Sequence, residues 1–147
     1  MASRWHPDDS FMESIGGQLR GARRVVAALK KAGIKTEGRI ITSRDKGMGP
    51  LRKALARTHM PPGFRQWQLP VVLGTRGQVL AFMTVGEPGA EVPEHAHKAM
   101  LFRVIIAGSV HFKKQRLAAG DWMVIPEGSS YSLRGGEFGF IILHLYC

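Results

Sequence analysis

Residues 93–97 read Pro-Glu-His-Ala-His and place two histidines, His95 and His97, two positions apart. Successive side chains of a β-strand point to opposite faces, so on a strand both imidazole rings would lie on the same face. Neutral imidazole is a good ligand for zinc, iron, nickel and copper. The spacing therefore indicates a strand that can supply two neighbouring ligands to one metal ion.

A second informative stretch, residues 120–128, reads Gly-Asp-Trp-Met-Val-Ile-Pro-Glu-Gly. It opens with a Gly-Asp pair, continues with a short apolar run and closes with Pro-x-Gly. Glycine and proline at these places are typical of turns, so the run predicts a buried strand with a sharp turn at each end. We expect Trp122, in this run, to lie in the core or to line a ligand pocket.

The first stretch resembles the first motif of the cupin superfamily of small β-barrels. That motif runs Gly, five residues, His-x-His, three or four residues, Glu, six residues, Gly. In this sequence Gly89, His95, His97 and Gly108 hold the corresponding positions. Leu101 stands where the motif has its glutamate, so one of the usual metal ligands is replaced by an apolar side chain.

The second stretch resembles the second cupin motif, which runs Gly, five residues, Pro-x-Gly, two residues, His, three residues, Asn. Gly120, Pro126 and Gly128 match its first half. Tyr131 replaces the histidine, which is another of the usual metal ligands, and Gly135 replaces the asparagine. The two motifs together agree with the superfamily at seven spaced positions.

The resemblance covers about residues 67–147 and implies a mainly β protein with a cupin-type, jelly-roll-like antiparallel β-barrel. It also implies that His95 and His97 point into the barrel and hold a divalent transition metal, which can be Fe, Mn, Ni, Co, Cu or Zn. Tyr131 would be a further ligand or an acid–base group. Its ordinary pKa of ~10 makes it a poor ligand unless a cation lowers that value.

Arg103 lies two residues beyond Leu101, so on a regular strand it shares the inward face. A buried cation needs an anionic partner, and a substrate carboxylate or phosphate would supply one. Two other interpretations stay open at this point. A bulge could turn Arg103 into solvent, or its side chain could pair with Glu94 or Glu137.

If the strands alternate regularly, one mostly apolar cavity should receive four polar side chains: His95, His97, Tyr131 and Arg103. Its apolar lining is predicted to include Leu101, Ile105 and Leu133. Two more histidines, His111 and His144, also lie on predicted strands, and we interpret both as structural.

The chain has 147 residues, of which 44% are hydrophobic, and this size predicts a globular protein with a sizeable core. No apolar run approaches the ~20 residues that cross a bilayer. Residues 1–9 lack the charged-then-apolar order of a secretion signal. Cys147 is the one cysteine, so no intrachain disulfide can form. These features predict a cytoplasmic protein without a membrane partner.

The net charge of +10 is distributed unevenly. Residues 1–66 contain 14 Lys and Arg against 5 Asp and Glu, whereas residues 67–147 contain 7 against 6. We therefore divide the chain into a basic, mostly helical N-terminal extension, residues 1–66, and a cupin-like barrel domain, residues 67–147. A basic segment can bind nucleic acid or another acidic partner, but a solvated helix face is the more common explanation.

Apolar residues recur every three or four positions between residues 11 and 29, which predicts one face of a helix. Gly16-Gly17 interrupts the pattern, and each glycine costs ~1 kcal/mol relative to alanine inside a helix, so packing must hold this helix. Residues 39–42 predict a short strand. A second helix is predicted to start at Pro50 and to stop before Pro61-Pro62-Gly63.

These observations support three hypotheses about function. The first is a metal-dependent small-molecule enzyme, which among cupins implies an oxygenase, lyase, isomerase or cyclase that acts on a small anionic compound. His95 and His97 would hold the metal, and Tyr131 and Arg103 are the predicted catalytic residues. The second is a metal-free ligand-binding or sensory cupin. The third is a nucleic-acid-associated protein that works through residues 1–66. A homodimer is expected.

Overall fold

The computed structural model describes residues 5–74 and 77–147. Residues 1–4, which belong to the predicted N-terminal extension and to the stretch searched for a secretion signal, lie outside this range. The described residues form a 3-10 turn at Ser10–Met12 and two helices, α1 (Arg20–Lys31) and α2 (Met48–Ala54). They also form ten strands: β1 (Ser14–Ile15), β2 (Gln18–Leu19), β3 (Ala56–Arg57), β4 (Phe64–Gln68), β5 (Leu80–Gly86), β6 (Glu91–His95), β7 (Leu101–Phe112), β8 (Gln115–Ala118), β9 (Trp122–Ile125) and β10 (Tyr131–Tyr146).

Eight of these strands form one antiparallel sheet, so the protein is mainly β as predicted. The strands follow the order β3-β4-β5-β10-β7-β8, while β6 pairs with β10 and β9 pairs with β7. Within the described residues this path ends at β3 and β8 and does not return on itself. The prediction of a closed barrel is therefore wrong, because the short strands at the two ends of the path do not pair with each other.

The long strands β7 and β10 bend where they pair with each other. Their register shifts between Gly135 and Phe140 of β10, opposite Gly108 of β7. Gly108 has φ +69° and Gly139 has φ +72°, which is left-handed backbone that favours glycine. A Cβ atom on Gly108 would lie 2.0 Å from the carbonyl oxygen of Gly139. The last glycine of the first motif thus lets two backbones meet at the bend.

Strand alternation fills the core, but it also corrects one expectation. In β9 the side chains of Met123 and Ile125 are buried, whereas Trp122 and Val124 face outward, with Trp122 63% exposed. The prediction that Trp122 lies in the core or a pocket is wrong. A continuous apolar run does not reveal that only one face of this strand is covered.

The N-terminal part of the chain is less helical than predicted. Helix α1 begins only at Arg20, since Gly16 and Gly17, at φ +59° and +79°, form the turn between β1 and β2. Residues 39–42 form no strand. Strand β4 crosses residue 66, where we placed the domain boundary, and the two-domain division stays a prediction.

The two helices are held by packing against each other. Val25 and Leu29 of α1 lie in one apolar cluster with Met48 and Leu51 of α2 and with Leu55, which follows α2. No helix among the described residues is long and apolar enough to cross a bilayer.

We predict that Gly108→Ala destabilises the protein more than Gly89→Ala does. Both glycines have nearly the same φ, +69° and +70°, but a Cβ at Gly89 meets nothing within 4 Å. Gly89→Ala should therefore cost only the left-handed strain of about 1–2 kcal/mol. Gly108→Ala should cost roughly 2 kcal/mol more, because the bend must also open. Urea unfolding of both variants measures the difference, and equal losses would contradict this account of the bend.

Candidate functional site

Three of the predicted site residues meet where β6 and β10 pair. His95 ends β6, and Tyr131, which begins β10, lies directly opposite it. His97 follows two residues later, and its ring centroid is 4.7 Å from that of His95. Both histidines are 6% exposed and Tyr131 is 5% exposed. Strand pairing therefore brings two imidazoles and a phenol together in the interior.

The polar atoms of these three side chains form a nearly equilateral triangle. The Nε2 atoms of His95 and His97 are 3.0 Å apart. The hydroxyl oxygen of Tyr131 lies 3.1 Å from Nε2 of His95 and 3.0 Å from Nε2 of His97. The sequence motif indicated that the rings would be near each other, and the structure shows which atoms face one another.

The other nitrogen of each ring is bound to an acceptor. His95 Nδ1 donates to the carbonyl oxygen of Pro93 at 2.6 Å, and His97 Nδ1 donates to the Asp9 carboxylate at 3.1 Å. Burial tends to raise the pKa of Asp9, but the hydrogen bonds from His97 and from the Lys98 amide bring it below its usual value. Asp9 is therefore ionised and can only accept.

These contacts determine the state of the two Nε2 atoms. Because Nδ1 carries a proton in both rings, the neutral form of each imidazole presents a lone pair at Nε2. The Tyr131 hydroxyl has one proton and can satisfy only one of the two at a time. Two nitrogen lone pairs 3.0 Å apart repel each other. A metal cation or a shared proton between the two rings would therefore stabilise this arrangement.

The donor set of this triangle fits a divalent transition metal. Two imidazole nitrogens that bind the same ion at ~2.1 Å lie ~3.0 Å apart when the two bonds are perpendicular. Outer carboxylate or carbonyl acceptors on Nδ1 are typical of metal-bound histidines. His95 and His97, each with its Nδ1 acceptor, therefore form a pair of ligands that is already oriented. Among the described residues no group of three or more His, Cys, Asp and Glu side chains could hold a metal ion, so the pair would need Tyr131, substrate or water.

Arg103 is buried at 6% exposure and contacts the phenol of Tyr131. Its Nη2 donates to the Tyr131 hydroxyl at 2.5 Å, and its guanidinium lies 4.9 Å from the centre of the Tyr131 ring. In the described part of the chain it pairs with no carboxylate, so neither Glu94 nor Glu137 is its partner. Of the three interpretations of Arg103, the structure therefore shows the one in which its side chain points inward.

The titration of these groups follows from burial. Burial raises the pKa of Tyr131, although the charge and hydrogen bond of Arg103 oppose this shift. Burial lowers the pKa of His95 to about 4, and the hydrogen bond to Pro93 only partly offsets it. At neutral pH the site therefore holds a protonated phenol and a neutral imidazole on His95.

His95, His97 and Arg103 line one cavity, and the Tyr131 hydroxyl binds all three. The cavity has a free volume of about 50 Å³, which is room for a few water molecules. Of the predicted apolar lining, Leu133 is present, whereas Leu101 and Ile105 pack in the core. The metal and catalytic roles of the four polar residues stay predictions.

The N-terminal segment contributes residues that the sequence analysis missed. Asp9 binds His97, and the Trp5 ring meets the His95 ring edge-on at a centroid distance of 5.1 Å. In the sequence, the acids at residues 8–9 stand just before the apolar pattern of the predicted helix. No local spacing signals their contact with His97, because the two segments are far apart in the chain. His111, by contrast, borders a different surface depression.

No protein-family model and no curated protein matches the chain. Solved structures do match in fold. KdgF from Halomonas sp. superposes with a TM-score of 0.51 at 18% identity, over 62% of this chain and 83% of that one. An RmlC-like cupin from Shewanella frigidimarina gives 0.52 at 17% identity, over 76% and 90%. Oxalate decarboxylase from Bacillus subtilis, described with Mn(II) centres, gives 0.51 at 19% identity, over 62% and 27%.

These likenesses define the class of protein. The chain has the cupin fold, as the two sequence motifs predicted. At 17–19% identity the matches carry the fold alone, and this chain's own residues must carry any argument about chemistry.

We predict that the metal-free protein loses stability as the pH falls from ~6.5 towards 4. Unfolded His95 binds a proton with its ordinary pKa, whereas in the folded protein the pKa is about 4, so acid favours the unfolded state. The loss attributable to His95 should be on the order of 3 kcal/mol at most. Urea unfolding between pH 7 and 4 should show a shallower decline for His95→Gln. Identical pH slopes, or a His95 NMR titration midpoint near 6.5, would contradict the depressed pKa.

Proposed function

We propose that the protein is a metal-dependent enzyme that acts on a small anionic compound. In this proposal His95 and His97 hold one divalent transition metal ion. The observation that carries the proposal is the 3.0 Å separation of two Nε2 atoms whose rings are both protonated at Nδ1. Two buried lone pairs that face each other cost a protein core free energy. A metal site, by contrast, requires such lone pairs as ligands.

When bound, such an ion would supply Lewis-acid chemistry by polarising an oxygen of the substrate. The Mn(II) centres described for the Bacillus subtilis decarboxylase support the view that this fold can hold such an ion. We extend that property to this chain on the basis of its own pair of histidines.

Tyr131 is proposed as the proton donor. Because burial raises its pKa, the hydroxyl keeps its proton at neutral pH, and Arg103 holds the oxygen in place through a 2.5 Å hydrogen bond. A positioned acid of this kind typically contributes 10²–10⁴-fold to a rate. Among the four reaction classes that the cupin resemblance implies, lyase and isomerase reactions use such a proton transfer most directly.

Arg103 is proposed to bind the anionic part of the substrate. A buried guanidinium without a carboxylate partner is costly, and no ion pair in the described residues relieves this cost. A substrate carboxylate or phosphate would relieve it. The resulting site places an anion near Arg103 and the reacting atoms near the two histidines.

We predict that the protein binds one transition metal ion per chain and that His95→Ala or His97→Ala weakens binding at least tenfold. Each substitution removes one of the two imidazole ligands. The protein should be purified without chelator or affinity tag, analysed for metal, and titrated with Fe, Mn, Ni, Co, Cu and Zn. His111→Ala is the matched control, because it removes a histidine away from the cavity.

If none of the six ions binds stoichiometrically, the enzyme proposal fails. The alternative then is a metal-free cupin that binds or senses a small ligand. Equal metal affinity in His111→Ala and His95→Ala would likewise show that the ion binds elsewhere.

We predict that Asp9→Ala lowers metal affinity by about 10–100-fold. The carboxylate orients the His97 ring through Nδ1, and an outer acceptor of this kind strengthens the binding of a metal by a histidine. Asp9→Asn should lose less, since an amide oxygen can still accept the Nδ1 proton but brings no charge. Asp8→Ala is the control, because the Asp8 carboxylate caps the Ser10 amide. Isothermal titration with the preferred ion measures the series, and equal effects at residues 8 and 9 would contradict a role for the His97 contact.

A further inference from the structure

The cavity contains buried polar atoms that the proposed metal site does not use. His144, on β10, lines the cavity and is 3% exposed. Neither of its ring nitrogens has a hydrogen-bond partner among the described residues. In the part of the chain that the structure describes, the Nε atom of Arg103 also lacks a partner. A buried polar group without a partner costs ~1–3 kcal/mol, so these atoms indicate a polar ligand.

The two side chains are close enough to bind one molecule. His144 and Arg103 lie directly opposite each other on the antiparallel strands β10 and β7. Cross-strand neighbours have Cβ atoms ~5 Å apart and point to the same face. The cavity accordingly has both residues in its lining.

The hydrogen-bond donors and acceptors of Arg103 and His144 indicate which ligand fits. Burial, together with the charge of Arg103, lowers the pKa of His144 well below its usual value, so the ring is neutral and has one donor and one acceptor nitrogen. Arg103 offers a charged Nε–H donor. A carboxylate suits the donors, and the acceptor nitrogen requires a ligand hydrogen. A hydroxyl supplies that hydrogen without adding a second positive charge beside Arg103.

The walls of the cavity limit the size of the ligand. Phe64, Phe140, Ile142 and Leu133 line the same cavity, and the free volume of about 50 Å³ accommodates a short molecule. The lining also includes polar side chains such as Gln66 and Thr84. Because Arg103 and His144 are cross-strand neighbours, the two polar groups that they bind lie close together on the ligand.

We propose that Arg103 and His144 form a binding subsite for a small 2-hydroxycarboxylate, in which Arg103 binds the carboxylate and His144 accepts a hydrogen bond from the neighbouring hydroxyl. The inference rests on the proposed function, because it assigns the substrate class of the same site. His144 thereby changes from the structural residue of the sequence interpretation to a residue that determines specificity.

Three small probes test the subsite in the full chain by NMR titration, with and without metal. Glycolate carries both groups, methoxyacetate lacks the hydroxyl hydrogen, and glycolamide lacks the charge. We expect glycolate to bind at least tenfold more tightly than either of the other two. In His144→Phe, glycolate and methoxyacetate should bind alike. In Arg103→Met, glycolate should lose its advantage over glycolamide. His111→Phe, the matched control, should keep the wild-type order.

A second set of measurements tests the subsite even if His144→Phe or Arg103→Met does not fold. His144→Gln keeps a donor and an acceptor, so part of the preference for glycolate should remain. In the wild type, the ring ¹⁵N signals of His144 should shift with glycolate more than with methoxyacetate. Equal affinity for those two probes, or tighter binding of inorganic phosphate than of glycolate, overturns the proposal.

The outcomes also separate this inference from the proposed function. Glycolate selectivity that depends on His144 in a protein that binds no metal would support the subsite and refute the enzyme. Metal binding by His95 and His97 without any preference for a ligand hydroxyl would support the proposed enzyme and refute the subsite.

Discussion

The hydrogen bond from His97 Nδ1 to Asp9 joins residues 88 positions apart in the chain, and the rest of the site depends on it. It places a carboxylate behind the imidazole, fixes the proton on Nδ1 and turns Nε2 towards His95. It also holds the N-terminal segment over the cavity, where the Trp5 ring meets the His95 ring. One contact thus decides which ring nitrogen of His97 carries the proton towards Asp9 and helps to place the N-terminal segment in the lining of the cavity.

The cavity exists because β10 pairs with three different strands. Its first residues pair with β6, its last residues pair with β5, and β7 accompanies it on both sides of the bend. As a result Tyr131, at the start of β10, and His144, near its end, belong to one interior. The glycines at the bend allow this arrangement because they let the two backbones approach without Cβ atoms.

The interior is chemically inconsistent with a purely structural role. Among the described residues, Arg103 is a buried cation without a carboxylate partner, and His144 has two buried nitrogens without a hydrogen bond. A core filled for stability would use apolar side chains at both positions. Local conflicts of this kind are expected at functional sites, where stability is sacrificed to bind something that the chain itself does not contain.

The sequence by itself determined the cupin fold and the proximity of His95 and His97, because both follow from the spacing of the two motifs. It left the orientation of Arg103 open, since a bulge could have turned that side chain into solvent. It could not show that Gly16 and Gly17 would make a hairpin turn, that the sheet would stay open or that Trp122 would face outward. Those features depend on which strands pair and which faces become covered. Only the tertiary structure brought Asp9 to His97 and His144 to Arg103, since contacts between residues far apart in the chain leave no local periodicity to read.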